Sequence, residues 1–236
     1  MNYKNEIVCK NCGTKNFDFE YICKNCKAFL RNRIVNIDLG ETLLRLIDSP
    51  SETFLKIKFS EHKNYIFFLL FFISIRFLIL SRFFSVPFVF EPIKLNLPLL
   101  VIISFLITLI FFVIISLSIQ KILLLLKVKA RFRDILAVMT YSFLPNLFAL
   151  FILFPIEMVF YGEYLFSNNP YPFQIKESIF YFLLSLETLC VLWSVFLFYV
   201  GIKEFTYSRI FSLIFSIIVW IVITLTLYWQ SKIFLI

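Results

Sequence analysis

The sequence predicts an all-α membrane protein, with a five-helix transmembrane bundle behind a small N-terminal ribbon. Three observations lead to this fold class: the composition, five long apolar segments, and four closely spaced cysteines near the N-terminus. Of the 236 residues, 61% are hydrophobic and only 16% are charged, and 33 are phenylalanine. So few charged residues cannot cover a soluble domain of this size, and most apolar side chains must therefore face lipid.

The four cysteines lie in residues 1–33, in two copies of one short pattern. The copies read Ile7-Val8-Cys9-Lys10-Asn11-Cys12-Gly13 and Tyr21-Ile22-Cys23-Lys24-Asn25-Cys26-Lys27. Each Cys-x-x-Cys turn directs two thiolates to one point, and four thiolates complete the closed tetrahedral site that structural Zn²⁺ takes. We therefore predict a zinc ribbon whose structural Zn²⁺ is held by Cys9, Cys12, Cys23 and Cys26.

Two other uses of these cysteines fit the pattern less well. A redox-active Cys-x-x-Cys needs a thioredoxin-like strand and helix, which residues 1–33 are too short to contain. A catalytic zinc site needs an open coordination position, and four sulfurs leave none. Because so short a segment cannot build a core of its own, metal binding would supply its folding free energy.

Basic side chains make the ribbon a candidate binding surface. They are Lys10, Lys15, Lys24, Lys27, Arg31 and Arg33. The net charge of +8 could suit nucleic acid. Because the ribbon is tethered to a membrane, however, we expect anionic lipid or a cytoplasmic protein as its partner instead. A solvated charged face with no ligand is the alternative.

Residues 34–62 have the pattern of an amphipathic juxtamembrane segment. Asp38 is a predicted N-cap, and the apolar residues that follow share one helical face: Leu39, Leu43, Leu44 and Ile47. A second helix starts at the capping pattern Ser49-Pro50-Ser51-Glu52. We expect an interfacial amphipathic helix here.

The second helix of this segment carries Lys56 and Lys58, and Lys63 follows it. Two placements fit this pattern. The helix lies in the head-group layer with its lysines toward anionic lipid, or it packs on the spans or on the ribbon. His62, the only histidine, is expected at the surface.

Five segments within residues 63–236 are apolar over the roughly 20 residues that cross a hydrocarbon core. They are predicted at about residues 65–84, 97–120, 135–160, 179–200 and 210–229. Pro145 lies inside the third segment, where we expect it to kink the helix and free a carbonyl near Tyr141. Pro87, Pro92, Pro98, Pro170 and Pro172 fall between the segments.

Basic residues orient the predicted spans. With the N-terminus in the cytoplasm, 18 of the 23 Lys and Arg residues lie on the cytoplasmic side. Arg76 lies within the membrane, and Arg82, Lys94, Lys176 and Lys232 fall on the far side. Five spans then put the C-terminal tail, residues 231–236, on the side opposite the N-terminus.

Arg76 in the first span and Glu187 in the fourth are charges that we place at membrane depth. Counted from the outer ends of their helices, both lie about 12 to 14 Å below the outer surface. An unpaired charge at this depth is costly, so we predict that they form an intramembrane ion pair. A proton or ion relay built on Glu187 is the alternative. Cys190, in the same span, is expected to be a small buried apolar group.

Three places in the membrane part resemble the Yip domain family of five-span proteins. The first is residues 43–54, a Pro followed by an amphipathic helix that bears Phe. The second is Tyr141-Ser142-Phe143-Leu144-Pro145, which is similar to the family's aromatic-Ser-x-x-Pro pattern. The third combines Trp193 and Gly201 near the end of the fourth span with Tyr207-Ser208-Arg209 before the fifth.

The resemblance implies a five-span fold and a role in membrane organisation or trafficking. Eukaryotic members interact with Rab-type GTPases, and their trafficking branch carries an Asp-Leu-aromatic-Gly-Pro motif. Here the corresponding residues are Asp38-Leu39-Gly40-Glu41. A zinc ribbon before the spans looks more like the prokaryotic relatives, which implies an integral protein of a prokaryotic cytoplasmic membrane.

Three function classes follow from the sequence. The favoured one is a non-enzymatic scaffold or adaptor that binds lipid or protein at the ribbon and could form homo-oligomers. A small transporter or channel using Arg76, Glu187 and the Pro145 kink is the alternative, although the sequence has no internal repeat among the spans. An intramembrane enzyme is the least expected, because no His pair or nucleophile with a base occurs within the spans.

Overall fold

The computed structural model describes residues 4–83, 93–167, 170–231 and 233–234. Most of them are helical. The helices are α1 (Leu39–Asp48), α2 (Pro50–Phe59), α3 (Ile66–Ser81), α4 (Leu97–Leu125), α5 (Phe132–Ser142), α6 (Leu144–Tyr161), α7 (Pro172–Ile175), α8 (Glu177–Thr206) and α9 (Arg209–Gln230), with a 3-10 helix at Gly162–Phe166.

Short strands occur at the two ends of the bundle. In the ribbon, β1 (Glu6–Val8) pairs antiparallel with β2 (Lys15–Phe17), and Ile7 lies opposite Asn16. At the other end, β3 (Ile93–Lys94) pairs in parallel with β4 (Ile233–Phe234).

Four stretches of the described chain are long and apolar enough to cross a membrane. They are α4 from Pro98, the pair α5 and α6 continued by the 3-10 helix, α8, and α9. The chain is thus an integral membrane protein. The first predicted span, residues 65–84, is shorter in the structure, because α3 has 16 residues and a turn follows it at Arg82 and Phe83. Its predicted end at Phe84, like Pro87, Pro92 and Lys232, lies outside the described residues.

The bundle core is built from large side chains that the spans bury against one another. In α3, Leu69, Leu70, Ile73 and Phe77 are all fully buried. The Phe77 ring meets the Phe143 ring edge to face at 5.7 Å between centroids. The third span therefore packs directly on α3.

The juxtamembrane segment folds as two helices with different surroundings. Asp38 caps α1 as predicted, since its Oδ1 accepts a hydrogen bond from the Glu41 amide at 3.0 Å. On α1, Leu44 and Ile47 are exposed while Leu46 is buried, so the predicted apolar face does not pack as one surface.

The second helix of the segment, α2, packs between α5 and α8. Phe54 and Ile57 on this helix are buried. Of the two placements, the one with lysines toward lipid does not hold for Lys58 or for Lys63, which follows α2, because both side chains are buried against carboxylates of the protein. The alternative placement, on the spans and the ribbon, is the one observed.

The third predicted span is interrupted rather than kinked. α5 ends at Ser142, α6 begins at Leu144, and Pro145 occupies the first turn of the new helix. Proline is well tolerated there because the first amides of a helix have no intrahelical acceptor. A second proline, Pro155, lies inside α6.

Candidate metal centre and its contacts with the membrane domain

The thiols of Cys9, Cys12, Cys23 and Cys26 converge on one point. All four sulfurs lie within 4.8 Å of one another. The Sγ atoms of Cys9 and Cys26 are 3.6 Å apart, and those of Cys12 and Cys23 are 3.5 Å apart. A tetrahedron with metal–sulfur bonds of about 2.3 Å has edges of about 3.8 Å, so this set fits a metal ion closely.

The two halves of the site have the same backbone hydrogen bonds. In the first, the Gly13 amide donates to the Cys9 carbonyl at 3.0 Å. In the second, the Lys27 amide donates to the Cys23 carbonyl at 3.2 Å. Gly13 and Lys27 both have positive φ, of 71° and 59°. The sequence repeat thus folds as two equivalent turns, each presenting two sulfurs.

Side chains around Cys12 and Cys23 favour the anionic form that binds metal. The hydroxyl of Thr14 lies 3.3 Å from Cys12 Sγ, and hydrogen bonds with Thr14 lower the pKa of Cys12 to about 6. The amide of Asn16 donates to Cys23 Sγ at 3.6 Å. A thiolate is the metal-binding form, so the donors around this cluster suit metal capture.

Asp18, which lies between the two Cys-x-x-Cys turns, connects the ribbon to the membrane domain. Its Oδ2 lies 2.7 Å from Lys58 Nζ of α2 and accepts a hydrogen bond from the Tyr207 hydroxyl at 2.8 Å. Lys58 is 2% exposed and also donates to the Glu204 carbonyl at the end of α8, at 2.9 Å. Burial, together with Asp18, raises the pKa of Tyr207.

The start of the chain forms a second set of contacts, with the connection between α4 and α5. The Lys4 amide donates to the Lys127 carbonyl at 2.8 Å. Asn5 donates from its side chain to the Lys129 carbonyl at 2.8 Å and accepts from the Lys129 amide at 3.1 Å. With the Asp18 contacts, the ribbon is held against α2, the α4–α5 connection and the end of α8.

A buried ionic cluster occupies the interior of the bundle. The structure brings Arg76 into ion-pair contact with Glu187, as well as with Glu157 of α6, whose Oε1 lies 3.4 Å from Arg76 Nη2. All three side chains are fully buried. The cluster therefore joins α3, α6 and α8, and contains two carboxylates for one guanidinium. Cys190, one turn after Glu187, is partly buried.

The residues of the aromatic-Ser-x-x-Pro pattern have separate structural contacts. The Tyr141 hydroxyl donates to the Asn64 carbonyl at 2.7 Å and so ties α5 to the turn before α3. Ser142 donates within its own helix to the Val138 carbonyl at 2.6 Å.

Trp193 and Gly201 lie at different places on α8. Trp193 is 38% exposed on the outside of the helix. Gly201 lies where α2, α5 and α8 meet, and a Cβ atom there would be 2.5 Å from Val138 Cγ1. These residues build the bundle and do not converge on one site.

Sequence reasoning missed three residues that matter in these contacts. Glu157 lies inside the third predicted span, and scanning each span for charges would have found it. Lys58 was considered, but its pattern fitted a lipid-facing and a protein-facing placement equally and named no partner. Nothing in the sequence pattern marked Asp18 as a contact residue, because one acidic residue between two Cys-x-x-Cys turns is common on a solvated surface.

Comparison with known proteins assigns the membrane part of the chain. The family model for the Yip1 domain matches residues 44–230, which include the end of α1 and every candidate span. The ribbon precedes the matched region. No curated protein and no solved structure matches the chain. The chain belongs to the Yip1 domain family and carries a four-cysteine ribbon in front of that domain.

Proposed function

We propose that this protein is a non-enzymatic membrane scaffold or adaptor, in which a Zn²⁺-ordered ribbon presents a binding surface at the cytoplasmic end of a five-span bundle. The contact of Asp18 with Lys58 and Tyr207 carries this proposal. A ribbon on a free tether would need no buried ion pair with the membrane domain. The fixed position instead suits a surface that a cytoplasmic protein or an anionic membrane recognises.

The choice of zinc follows from the ligand set. Four sulfurs at tetrahedral spacing are typical of structural Zn²⁺, and they leave no coordination position for a substrate. When bound, the ion would supply the folding free energy that so small a ribbon lacks. The residues of this chain would then hold the ordered ribbon against the bundle, as described above.

The positions of the two ends of α3 support counting this helix as a fifth span. Its 16 residues cover about 24 Å, somewhat less than a hydrocarbon core of about 30 Å. At the far end, Arg82 Nη2 donates to the Ser231 carbonyl just after α9, at 3.4 Å. At the ribbon end, the Lys63 side chain lies 3.1 Å from Asp134 in the first turn of α5. The α3 region thus extends between the same two ends as the longer spans.

The basic residues support a cytoplasmic ribbon. At one end of the bundle, the ribbon contacts both the α4–α5 connection and the α8–α9 connection. Together with α1, α2, the turn after α2 and the adjoining ends of α4, α5, α8 and α9, these segments contain 18 of the 23 Lys and Arg residues. By the positive-inside rule, this end faces the cytoplasm and the C-terminus lies on the other side.

Crosslinking and mass spectrometry in native membranes test the scaffold. We expect the ribbon lysines to crosslink to a cytoplasmic protein or to a second copy of the chain, and Cys23→Ser to abolish these crosslinks by removing a metal ligand. Cys190→Ser is the matched control and should leave them unchanged. Ribbon crosslinks that persist unchanged in Cys23→Ser would count against the proposal.

Solute flux provides a second, independent test. Purified protein in liposomes should show no flux that depends on the buried cluster. Flux that is present in the wild type and lost in Glu187→Gln would overturn the scaffold in favour of a transporter or channel.

A further inference from the structure

A cleft of about 610 Å³ lies between the ribbon, the end of α2 and the start of α5. Its charged lining comprises Lys24, Lys27, Arg31, Arg131 and Arg133, against Glu20 and Glu61. Both carboxylates already have cationic partners. Lys24 Nζ is 2.9 Å from Glu20 Oε1, and Arg33, outside the cleft, binds Glu61 through two hydrogen bonds of 2.9 Å. The cleft therefore has an excess of positive charge.

Three of its cations form no ion pair with any described residue. Within the described part of the chain, no carboxylate lies at ion-pair distance from Lys27, Arg31 or Arg133. Lys27 and Arg133 are exposed at the mouth of the cleft, one on the ribbon and one on α5. Their charges are thus available to an anion that enters between the ribbon and the membrane domain.

Arg31 and Arg131 form the inner wall of the cleft. Arg31 Nη2 donates to the Phe19 and Phe59 carbonyls at 2.6 and 3.1 Å, and its guanidinium lies 4.4 Å from the centre of the Phe59 ring. Arg131 lies 5.0 Å from the Phe19 ring and pairs with Asp134 on its other side.

The Arg31 side chain is not fully satisfied. Its Nε is buried and has no hydrogen-bond partner. Burial and the nearby Arg131 lower the pKa of Arg31 below its ordinary value, and Asp18, Asp134 and Glu61 offset this only in part. Carbonyls and the Phe59 ring hold this guanidinium in place, and the like charge of Arg131 stands beside it. Such an arrangement becomes more favourable when an anion binds between the two.

We propose that this cleft binds a phosphate group. Guanidinium groups match phosphate oxygens in forked geometry, and Lys27 adds a compact third charge. The cleft is lined by residues at the start of α5, at the end of the bundle that the proposed function places in the head-group layer, so the phosphate can come from an anionic lipid or from solution. The inference rests on the proposed function only in placing the ribbon at the cytoplasmic head-group layer.

The test compares two double variants of equal charge in the full-length protein. Lys27→Gln with Arg133→Gln removes two cleft cations that make no ion pair, so folding should be retained. Lys10→Gln with Lys121→Gln removes two exposed cations outside the cleft. One arm measures binding of inorganic phosphate to detergent-solubilised protein by phosphorus NMR. The other measures retention of phosphatidic acid by native mass spectrometry after extraction from phosphatidylcholine nanodiscs that contain it.

We expect the wild type and the control variant to bind the phosphate group with the same affinity. The cleft variant should bind it roughly tenfold more weakly, or more weakly still. Binding that is weakened in the cleft variant alone, in both arms or in either one, supports the proposal and identifies the source of the phosphate. Equal binding by the cleft and control variants, or no binding by the wild type in both arms, overturns it. The detergent arm does not depend on membrane orientation or on a protein partner. Its result would therefore stand even if the proposed scaffold function were wrong.

Discussion

At the scale of single residues, the contact between Asp18 and Lys58 decides whether the ribbon and the bundle form one unit. Lys58 is 2% exposed, and Asp18 is the carboxylate at ion-pair distance from it. A buried cation without its counter-ion is far less favourable than an exposed one. Removing the carboxylate should therefore cost more than removing an exposed ion pair.

The substitution Asp18→Asn tests this contact. We expect it to lower the free energy of unfolding by about 3 kcal/mol, because it leaves the Lys58 ammonium buried without a counter-charge. Thermal unfolding of the purified protein in detergent measures the effect. Glu41→Gln is the control, since Glu41 pairs with Arg45 and Lys56 on the exposed side of α1 and α2. Equal stability of the two variants would contradict the account.

The buried cluster makes a prediction about the order of three variants. Arg76→Gln leaves Glu157 and Glu187 facing each other inside the bundle without a cation, whereas each Glu→Gln variant keeps one carboxylate for the guanidinium. We expect Arg76→Gln to be the least stable of the three by thermal unfolding. If either Glu→Gln variant is instead less stable than Arg76→Gln, the charge argument is wrong.

The residue scale also shows where sequence reasoning stops. Arg76 and Glu187 were predicted to pair because a lone charge in a membrane needs a partner, and the structure brings them together with Glu157 as well. No comparable rule points to Asp18. Its role depends on which surface of the ribbon faces the bundle, and that is decided by tertiary packing rather than by local pattern.

At the scale of helices, the crossing of α2, α5 and α8 depends on one residue without a side chain. A Cβ on Gly201 would lie 2.5 Å from Val138 Cγ1 and 3.1 Å from the Phe54 ring. The first distance is too short for two carbon atoms and the second is tight, and a branched valine cannot move aside easily. The three helices can approach this closely because position 201 is glycine.

The pair Gly201→Ala and Val138→Ala tests the crossing. Gly201→Ala alone should destabilise the protein by about 1 to 3 kcal/mol through overpacking. Combining it with Val138→Ala removes the atom that clashes, so the double variant should lose less than the sum of the two single variants. Additive losses in thermal unfolding would show that the two side chains do not meet.

Helix positions were easier to predict than helix continuity. Long apolar runs predicted α4, α8 and α9, because few structures other than a membrane span use about 20 apolar residues in a row. Pro145 was expected to bend a single helix. Instead α5 ends at Ser142 and α6 starts anew, which leaves the proline in the first turn, where its missing amide costs nothing.

At the scale of the whole molecule, the ribbon caps one end of an integral membrane domain of the Yip1 family. The composition and the cysteine spacing indicated both parts, since each has a strong local signature. Their contact surface has none. The lysines of α2 were compatible with lipid or with protein, and only the fold shows that Lys58 and Lys63 point into the protein.

In the proposed function, bound metal keeps the ribbon folded and docked on the bundle. Hydrogen–deuterium exchange of the full-length protein in nanodiscs, before and after zinc chelation, tests it most directly. The Lys4 and Lys129 amides report on docking, because each donates a hydrogen bond across the contact. We predict that chelation speeds exchange in residues 6–30 and at these two amides, while the interior of α8 stays protected. Ribbon exchange that chelation does not change, or faster ribbon exchange with Lys129 still protected, would contradict the account.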